Sequence, residues 1–162
     1  MGEAEFEAIY TKHFDGIYRF LSKLCPSPDL CEEMTQETFY QAYISLHRYN
    51  GKCEMFTWLA AIAKNTYFKY LRKNKITHLN LELAVMPDEE HSPEYLLEKR
   101  LEAAQVREAV RKLPPKYRDV VILRIYADRP FAEVARLLGI TENSAKVMFH
   151  RAKEILRKEI KL

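Results

Sequence analysis

The sequence predicts an all-α chain of two small helical domains joined by a flexible linker. Three observations carry that expectation. Glycine is scarce, with 4 residues in 162, and there are 7 prolines, too few for a β-chain that turns often. Apolar residues recur at spacings of three and four through most of the chain, the stripe of an amphipathic helix. That periodicity fades once, between about residues 74 and 92, and then resumes. Hydrophobic residues make up 48% and charged residues 30%, a globular balance and not a disordered one.

The elements follow in order. Phe6, Ile9, Tyr10, Phe14, Ile17, Tyr18 and Leu21 form the inner stripe of a first helix, which Pro26 and Pro28 end. Asp29 is positioned to cap a second helix, with Glu32 and Glu33 in the opening turns that a helix dipole favours for acids. That helix carries Leu30, Met34, Phe39, Ala42, Tyr43 and Leu46. Asn50-Gly51 reads as a turn. A third helix is expected from Met55 to Lys73, facing inward through Leu59, Ile62, Ala63, Thr66 and Tyr70. Residues 1–74 then make one domain and 75–92 a linker that proteases should reach.

Residues 93–162 make the second domain. Its opening helix starts near Pro93 and carries Leu97, Leu101, Val106, Val110 and Leu113, until Pro114-Pro115 breaks it. Three short helices follow, over Lys116–Tyr126, Phe131–Leu138 and Glu142–Lys158. Gly139 suits a left-handed helix end and Thr141 can cap the helix after it. Ala145, Phe149, Ala152 and Leu156 can face the core, while Asn143, Lys146, Val147, His150 and Arg151 share another face. This is the layout of a helix-turn-helix whose second helix is free to enter a major groove. An ordinary helical hairpin with a solvated polar face has the same spacing, and the basic outer face favours nucleic acid.

Charge distribution says more than the net value of +3. Met55–Leu81 holds basic residues and no acids, including Lys64, Lys69, Arg72 and Lys73. Glu82–Glu102 is acidic, and the stretch after Thr141 is basic again. Two separated basic surfaces suit an extended anionic partner. Trp58, Asn65, Lys69 and Arg72 are spaced by seven, four and three, so they share a helical face on which an aromatic ring, an amide and cations could hold unpaired bases and phosphates. No Gly-rich phosphate loop, nucleophile triad or paired-carboxylate site is visible, so no catalytic residue, cofactor or small-molecule substrate is expected. Cys25, Cys31 and Cys53 with His13 and His47 lack the spacing of a zinc module, so no metal is expected. The acidic N-terminus lacks an apolar signal core, and with few cysteines a reducing cytoplasm is the simpler reading.

These residues carry a resemblance. Thr35-Gln36-Glu37-Thr38-Phe39, followed by Phe56-Thr57-Trp58-Leu59, Ile62-Ala63 and Asn65, resembles the second conserved region of bacterial sigma factors. Leu113-Pro114-Pro115-Lys116-Tyr117-Arg118, the helix-turn-helix and His150-Arg151-Ala152 resemble their fourth region. Nothing resembles the first or third regions, which points to the extracytoplasmic-function subgroup. The resemblance implies a subunit that directs RNA polymerase to promoters. Asp29, Glu32, Glu33, Gln36, Glu37 and Phe39 would bind the clamp helices of the polymerase largest subunit. Asn50, Cys53 and Phe56 would belong to the loop that captures a flipped base of the minus-ten element. Trp58, Asn65, Lys69 and Arg72 would help melt and hold that element. Thr141, Asn143, Lys146, Val147, His150, Arg151 and Lys153 would meet the minus-thirty-five element. An anti-sigma factor, often membrane-anchored, is implied as inhibitor, so the chain would be held at the inner face of the membrane.

Two departures stand out. Many members have a basic or hydroxyl residue where this chain has Val147 and Met148, and Cys53 lies where small or charged residues are common. The competing readings are a stand-alone helix-turn-helix regulator, which would need only the C-terminal half and a dimer, and a protein-interaction adaptor. The Gln36–Phe39 and Trp58-Leu59 blocks speak against the first and the basic faces against the second.

Overall fold

The computed structural model describes residues 2–74 and 92–160. The expected linker therefore lies outside the described residues except for Ser92. Among the described residues every regular element is helical. α1 spans Glu3–Leu24, α2 Pro28–Ser45, α3 Met55–Asn74, α4 Pro93–Arg111, α5 Pro115–Val121, α6 Phe131–Leu138 and α7 Glu142–Ile160. A 3₁₀ turn, Leu46–Arg48, follows α2, and a π-helical segment, Ile122–Tyr126, continues α5.

α1, α2 and α3 pack on one another around Ile17, Phe20, Leu21 and Leu24 from α1, Met34 and Ala42 from α2, and Leu59, Ala63, Tyr67 and Leu71 from α3. Each helix has a physical start. Ser27, not Asp29, caps α2: the Leu30 amide donates to its hydroxyl at 3.2 Å, and Pro28 occupies the first helical position, where its missing N–H costs nothing. Asp29 is left in the first turn, where the dipole favours it. Thr35 and Thr38, both buried, donate to the Cys31 and Met34 carbonyls at 2.7 Å, so α2 hides two hydroxyls without leaving them unpaired.

α3 is buried over a wider arc than expected. Ala60, Tyr67, Phe68 and Leu71 are buried, whereas Ile62, Thr66 and Tyr70 are half-buried. The helix meets α1 and α2 on one side and α6 and the π-helical segment on the other, so a single stripe could not describe it. On α2 Tyr43, expected inside, is exposed.

In the second half α7 is the central helix, with α4, α5 and α6 against it. Val110, Leu113, Val120 to Leu123, Val134, Ala135, Ala145 and Ala152 form the core. The small Ala135 and Ala145 let α6 and α7 approach closely. Gly139 stands at φ 70°, the left-handed conformation that ends α6. Leu97 and Leu101, expected inside, are exposed, and Ala104 is the buried residue of that stretch.

The two halves touch directly, although the sequence predicts two domains joined by a flexible linker. Lys64 of α3 pairs with Asp119 of α5 at 2.8 Å. Arg129 reaches Glu54 at 3.0 Å, and Lys23 of α1 donates to the Tyr126 carbonyl at 3.3 Å.

Candidate nucleic-acid and polymerase interfaces

The expected sites fall on three surfaces. On α2, Asp29, Glu32, Glu33, Gln36 and Glu37 are all exposed. They sit on a firmly packed helix, with the Gln41 amide donating to Glu37 at 2.9 Å. Phe39 does not belong with them: it is 2% exposed, stacked on Phe14 at 5.8 Å and set edge-on to Tyr10 at 5.0 Å. It is a core residue, because the helix turn that points Gln36 outward points position 39 at α1. Tyr40 and Tyr43, four and seven residues beyond Gln36, are 59% and 53% exposed and continue its ridge. They flank a shallow groove with Phe6 and Tyr10. Aromatic side chains with a polar tip, beside acids and amides, are what protein interfaces concentrate. The i, i+4, i+7 spacing from Gln36 was the available signal.

The second surface lies on α3 and the loop before it. Asn65, Lys69 and Arg72 are exposed on one face, and Asn50 is exposed at the turn. Asn50 shapes that turn by accepting the Lys52 amide at 3.0 Å, with Gly51 at φ 78°. Trp58 is half-buried, its ring 5.3 Å from Tyr49. The face from residue 58 to 72 runs about 21 Å along the axis at about 1.5 Å per residue, enough for several nucleotides. Cys53 is buried, and its carbonyl accepts the Tyr49 hydroxyl. Burial, with Glu133 and Glu54 nearby, pushes the Cys53 thiol up, so in this structure it is an enclosed, protonated group. Phe56 is half-buried with the Arg129 guanidinium 4.9 Å over its ring. Lys64, counted with the basic surface from sequence, is 5% exposed and committed to Asp119.

The third surface is the outer face of α7. Thr141 caps the helix, accepting the Ser144 amide at 3.0 Å. Asn143, Lys146, Val147, His150, Arg151 and Lys153 are exposed. Lys146 lies 3.8 Å from Glu142, an exposed pair one turn apart. Such pairs contribute about 0.3–0.5 kcal/mol, too little to keep the ammonium from a better acceptor. Lys153 lies 5.2 Å over the Phe149 ring. Val147 is 40% exposed, a methyl-bearing surface suited to a thymine methyl.

Sequence reasoning missed Glu133. This carboxylate of α6 is 3% exposed and accepts the Glu54 amide at 2.8 Å and the Thr57 hydroxyl at 2.7 Å, while Arg136 donates to it at 2.9 Å. Burial pushes its pKa up, but those hydrogen bonds outweigh burial and hold it below the ordinary carboxylate value. What it contributes is therefore present at neutral pH and lost as pH falls through that lowered value. No local pattern announces a carboxylate whose partners lie 76 and 79 residues away. No group of His, Cys, Asp or Glu among the described residues could hold a metal ion. Cys25, Cys31 and Cys53 are free thiols.

Comparison with known proteins agrees with this layout. The family description "Sigma-70 region 2" matches residues 9–76, and "Sigma-70, region 4" matches residues 103–156. The ECF RNA polymerase sigma factor SigM of Bacillus subtilis is 28% identical over 155 residues, covering 93% of this chain and 92% of its own. The sigma factor RpoE of Bartonella quintana, solved with the anti-sigma factor NepR, has a TM-score of 0.60 at 17% identity, over 98% of both chains. CnrH, solved with the cytosolic domain of CnrY, has a TM-score of 0.62 at 18% identity, over 97% of this chain and 88% of that one. These two structures share the fold.

Proposed function

We infer that this chain, which belongs to the extracytoplasmic-function subgroup of the sigma-70 family, is a promoter-specificity subunit of bacterial RNA polymerase. The observation that carries the reading is the pair of exposed basic surfaces, one on α3 and one on α7, each inside a separately matched region. A stand-alone regulator would need only the second. The acidic and amide ridge of α2, extended by Tyr40 and Tyr43, docks on the clamp helices of the polymerase largest subunit, where carboxylates meet arginines in charge-assisted hydrogen bonds. Asn65 approaches a base edge of the melted minus-ten strand, and Lys69 and Arg72 hold its phosphates. The chain does no chemistry of its own: opening costs a few kcal/mol per flipped base, which stacking and edge hydrogen bonds offset.

An anti-sigma factor is the natural inhibitor, because a partner that covers the two surfaces silences both. RpoE is solved with the anti-sigma factor NepR, and CnrH with the cytosolic domain of CnrY. The chain works in the cytoplasm, where the polymerase is, and a membrane-anchored inhibitor would hold it at the inner face. No helix among the described residues is long and apolar enough to cross a membrane.

Run-off transcription with purified core polymerase over a promoter library tests the reading: specific starts should appear only when the chain is added. Two variant sets refine it. Glu33→Lys with Gln36→Ala should weaken core binding about tenfold or more, equivalent to about 1.4 kcal/mol, with the thermal midpoint unchanged because both positions are exposed. Equal affinity in a pull-down would move the polymerase contact elsewhere. Lys146→Ala should change which promoters are used, at about 1–3 kcal/mol for a lost base contact, whereas Arg151→Ala should weaken all promoters alike. An identical sequence logo for wild type and Lys146→Ala would remove Lys146 from base reading.

A further inference from the structure

Cys25 ends α1 and Cys31 lies in the opening of α2, with the Pro26-Ser27-Pro28 turn between them. Both side chains turn into the core of the first half, 7% and 1% exposed. They meet there: the Cys25 thiol is hydrogen-bonded to the Cys31 sulfur, and Cys31 donates to the Tyr18 carbonyl of α1 at 3.3 Å. Neither thiol has a part in the polymerase or DNA contacts described above. One buried cysteine packs as a small hydrophobe. Two sulfurs in contact across a single short turn have the placement of a dithiol able to close.

We propose that Cys25 and Cys31 are a dithiol oxidised by hydroperoxides, and that their disulfide ties the end of α1 to the start of α2 and weakens the grip on core polymerase. The disulfide stands on the geometry alone; its effect on polymerase rests on the sigma-factor reading above.

The surroundings divide the work between the two sulfurs. The hydrogen bond from Cys25, with the Thr35 hydroxyl adding to it, holds the Cys31 thiol below the ordinary cysteine value against the burial that would raise it. The same bond and burial push the Cys25 thiol up. Cys31 is therefore the first to react, because the thiolate is the nucleophile. It attacks the terminal oxygen of the peroxide, the O–O bond breaks, and the leaving oxygen takes up the proton that Cys31 lost. Cys31 is now a sulfenic acid. Cys25 then attacks the Cys31 sulfur, the S–O bond breaks, and hydroxide leaves as water with the Cys25 proton. Two thiols have given up two electrons, and the peroxide has become an alcohol, or water when it is hydrogen peroxide, with one further water released. The Arg107 guanidinium of α4 favours the Cys25 thiolate in this second step, and its Nε is buried without a hydrogen-bond partner.

Closure is felt on the polymerase side. A disulfide needs its sulfurs about 2.05 Å apart with a dihedral near 90°, a tighter arrangement than a hydrogen bond between thiols. Reaching it takes Cys31 off the Tyr18 carbonyl and draws the first turn of α2 toward the end of α1. Asp29, Glu32 and Glu33 flank Cys31 and are exposed, so three acids of the docking ridge move together. Interfaces packed like protein interiors tolerate such shifts poorly. Cytosolic thiols reverse the bond, as they do for the transient, redox-sensing disulfides of that compartment.

The test uses the full chain. After hydrogen peroxide treatment and quenching, the chain is denatured, alkylated with iodoacetamide and cut with trypsin. Cleavage after Lys23 and Arg48 leaves both cysteines in one peptide, Leu24–Arg48. That peptide should be two hydrogens lighter than its reduced form and refuse carbamidomethyl groups until dithiothreitol is added. The oxidised chain should bind core polymerase about tenfold more weakly, and dithiothreitol should restore the affinity. Cys25→Ala should bind core as wild type does, stop responding to peroxide, and hold Cys31 as a sulfenic acid that dimedone traps. Cys53→Ala should keep the full response. A peroxide-treated Leu24–Arg48 peptide that still takes two carbamidomethyl groups overturns the dithiol, with no variant needed. A linked peptide with unchanged core affinity overturns the switch. The sigma-factor reading fails separately, if the reduced chain gives no specific starts with core polymerase whatever the mass of the peptide.

Discussion

Phe39→Ala should abolish polymerase binding by unfolding the first half of the chain. Its ring is almost wholly enclosed between Tyr10 and Phe14. Truncating a buried phenylalanine costs about 3–5 kcal/mol, against a total of about 5–15 kcal/mol for a typical domain. For a chain of this length each kcal/mol moves the midpoint by about 2–4 °C, so a fall of about 6–20 °C is expected by circular dichroism. Binding measured well below that midpoint should return toward wild type. Tyr40→Ala, next in sequence to Phe39 but about 100° round the helix and facing solvent, should do the reverse: lower core affinity with the midpoint unchanged. A Phe39→Ala chain that melts like wild type yet no longer binds core would restore Phe39 to the contact surface.

Lys69→Ala with Arg72→Ala is the second large effect. Both cations are exposed on α3, on the face that continues from Trp58. If each neutralises one phosphate, removing both should flatten the slope of log affinity against log salt by about 1.4–1.8, from about 0.7–0.9 per contact. Two charge-assisted contacts also correspond to a loss of about tenfold or more near physiological salt. The loss should be similar across promoter sequences, since phosphates carry no base information. Anisotropy of a pre-melted promoter fragment with the holoenzyme, over a salt series, measures both quantities. A slope indistinguishable from wild type would remove this face from DNA.

The helices themselves were legible in the sequence because their causes are local. Pro26, Gly139 and the Pro114-Pro115 pair stop helices by backbone geometry, and Thr141 starts one with its own hydroxyl. The exposed face of α7 was legible for the same reason, since a strict apolar stripe leaves only one polar side. On α2 that logic fails. Phe39, Tyr40 and Tyr43 offer aromatic rings in several directions, and spacing cannot say which ring α1 covers. The N-cap moved from Asp29 to Ser27 because Pro28 fits the first helical position, a competition between two good caps two residues apart. Lys64 and Glu133 were not legible at all. Each looks like an ordinary solvated charge until a helix from the other half arrives with Asp119, or with the donors at the start of α3.

The π-helical segment carries a constraint on chain length. Across Ile122–Tyr126 the backbone bonds run wide, with the Ala127 amide reaching the Ile122 carbonyl and the Arg129 amide the Leu123 carbonyl, each at 3.0 Å. One residue more is wound into this turn than an α-helix would hold. Deleting a single residue, the exposed Ile125 for instance, would restore regular winding and swing everything after it by about 100°, one step of a helix with about 3.6 residues per turn. Arg129 and Glu133 would then point away from Glu54 and Thr57 although neither had been altered. Exposed side chains of this stretch, such as Ile125, can be exchanged without that consequence, but an insertion or deletion there resets the bearing of the whole helix-turn-helix, so the number of residues between Asp119 and Glu133 fixes where that half points.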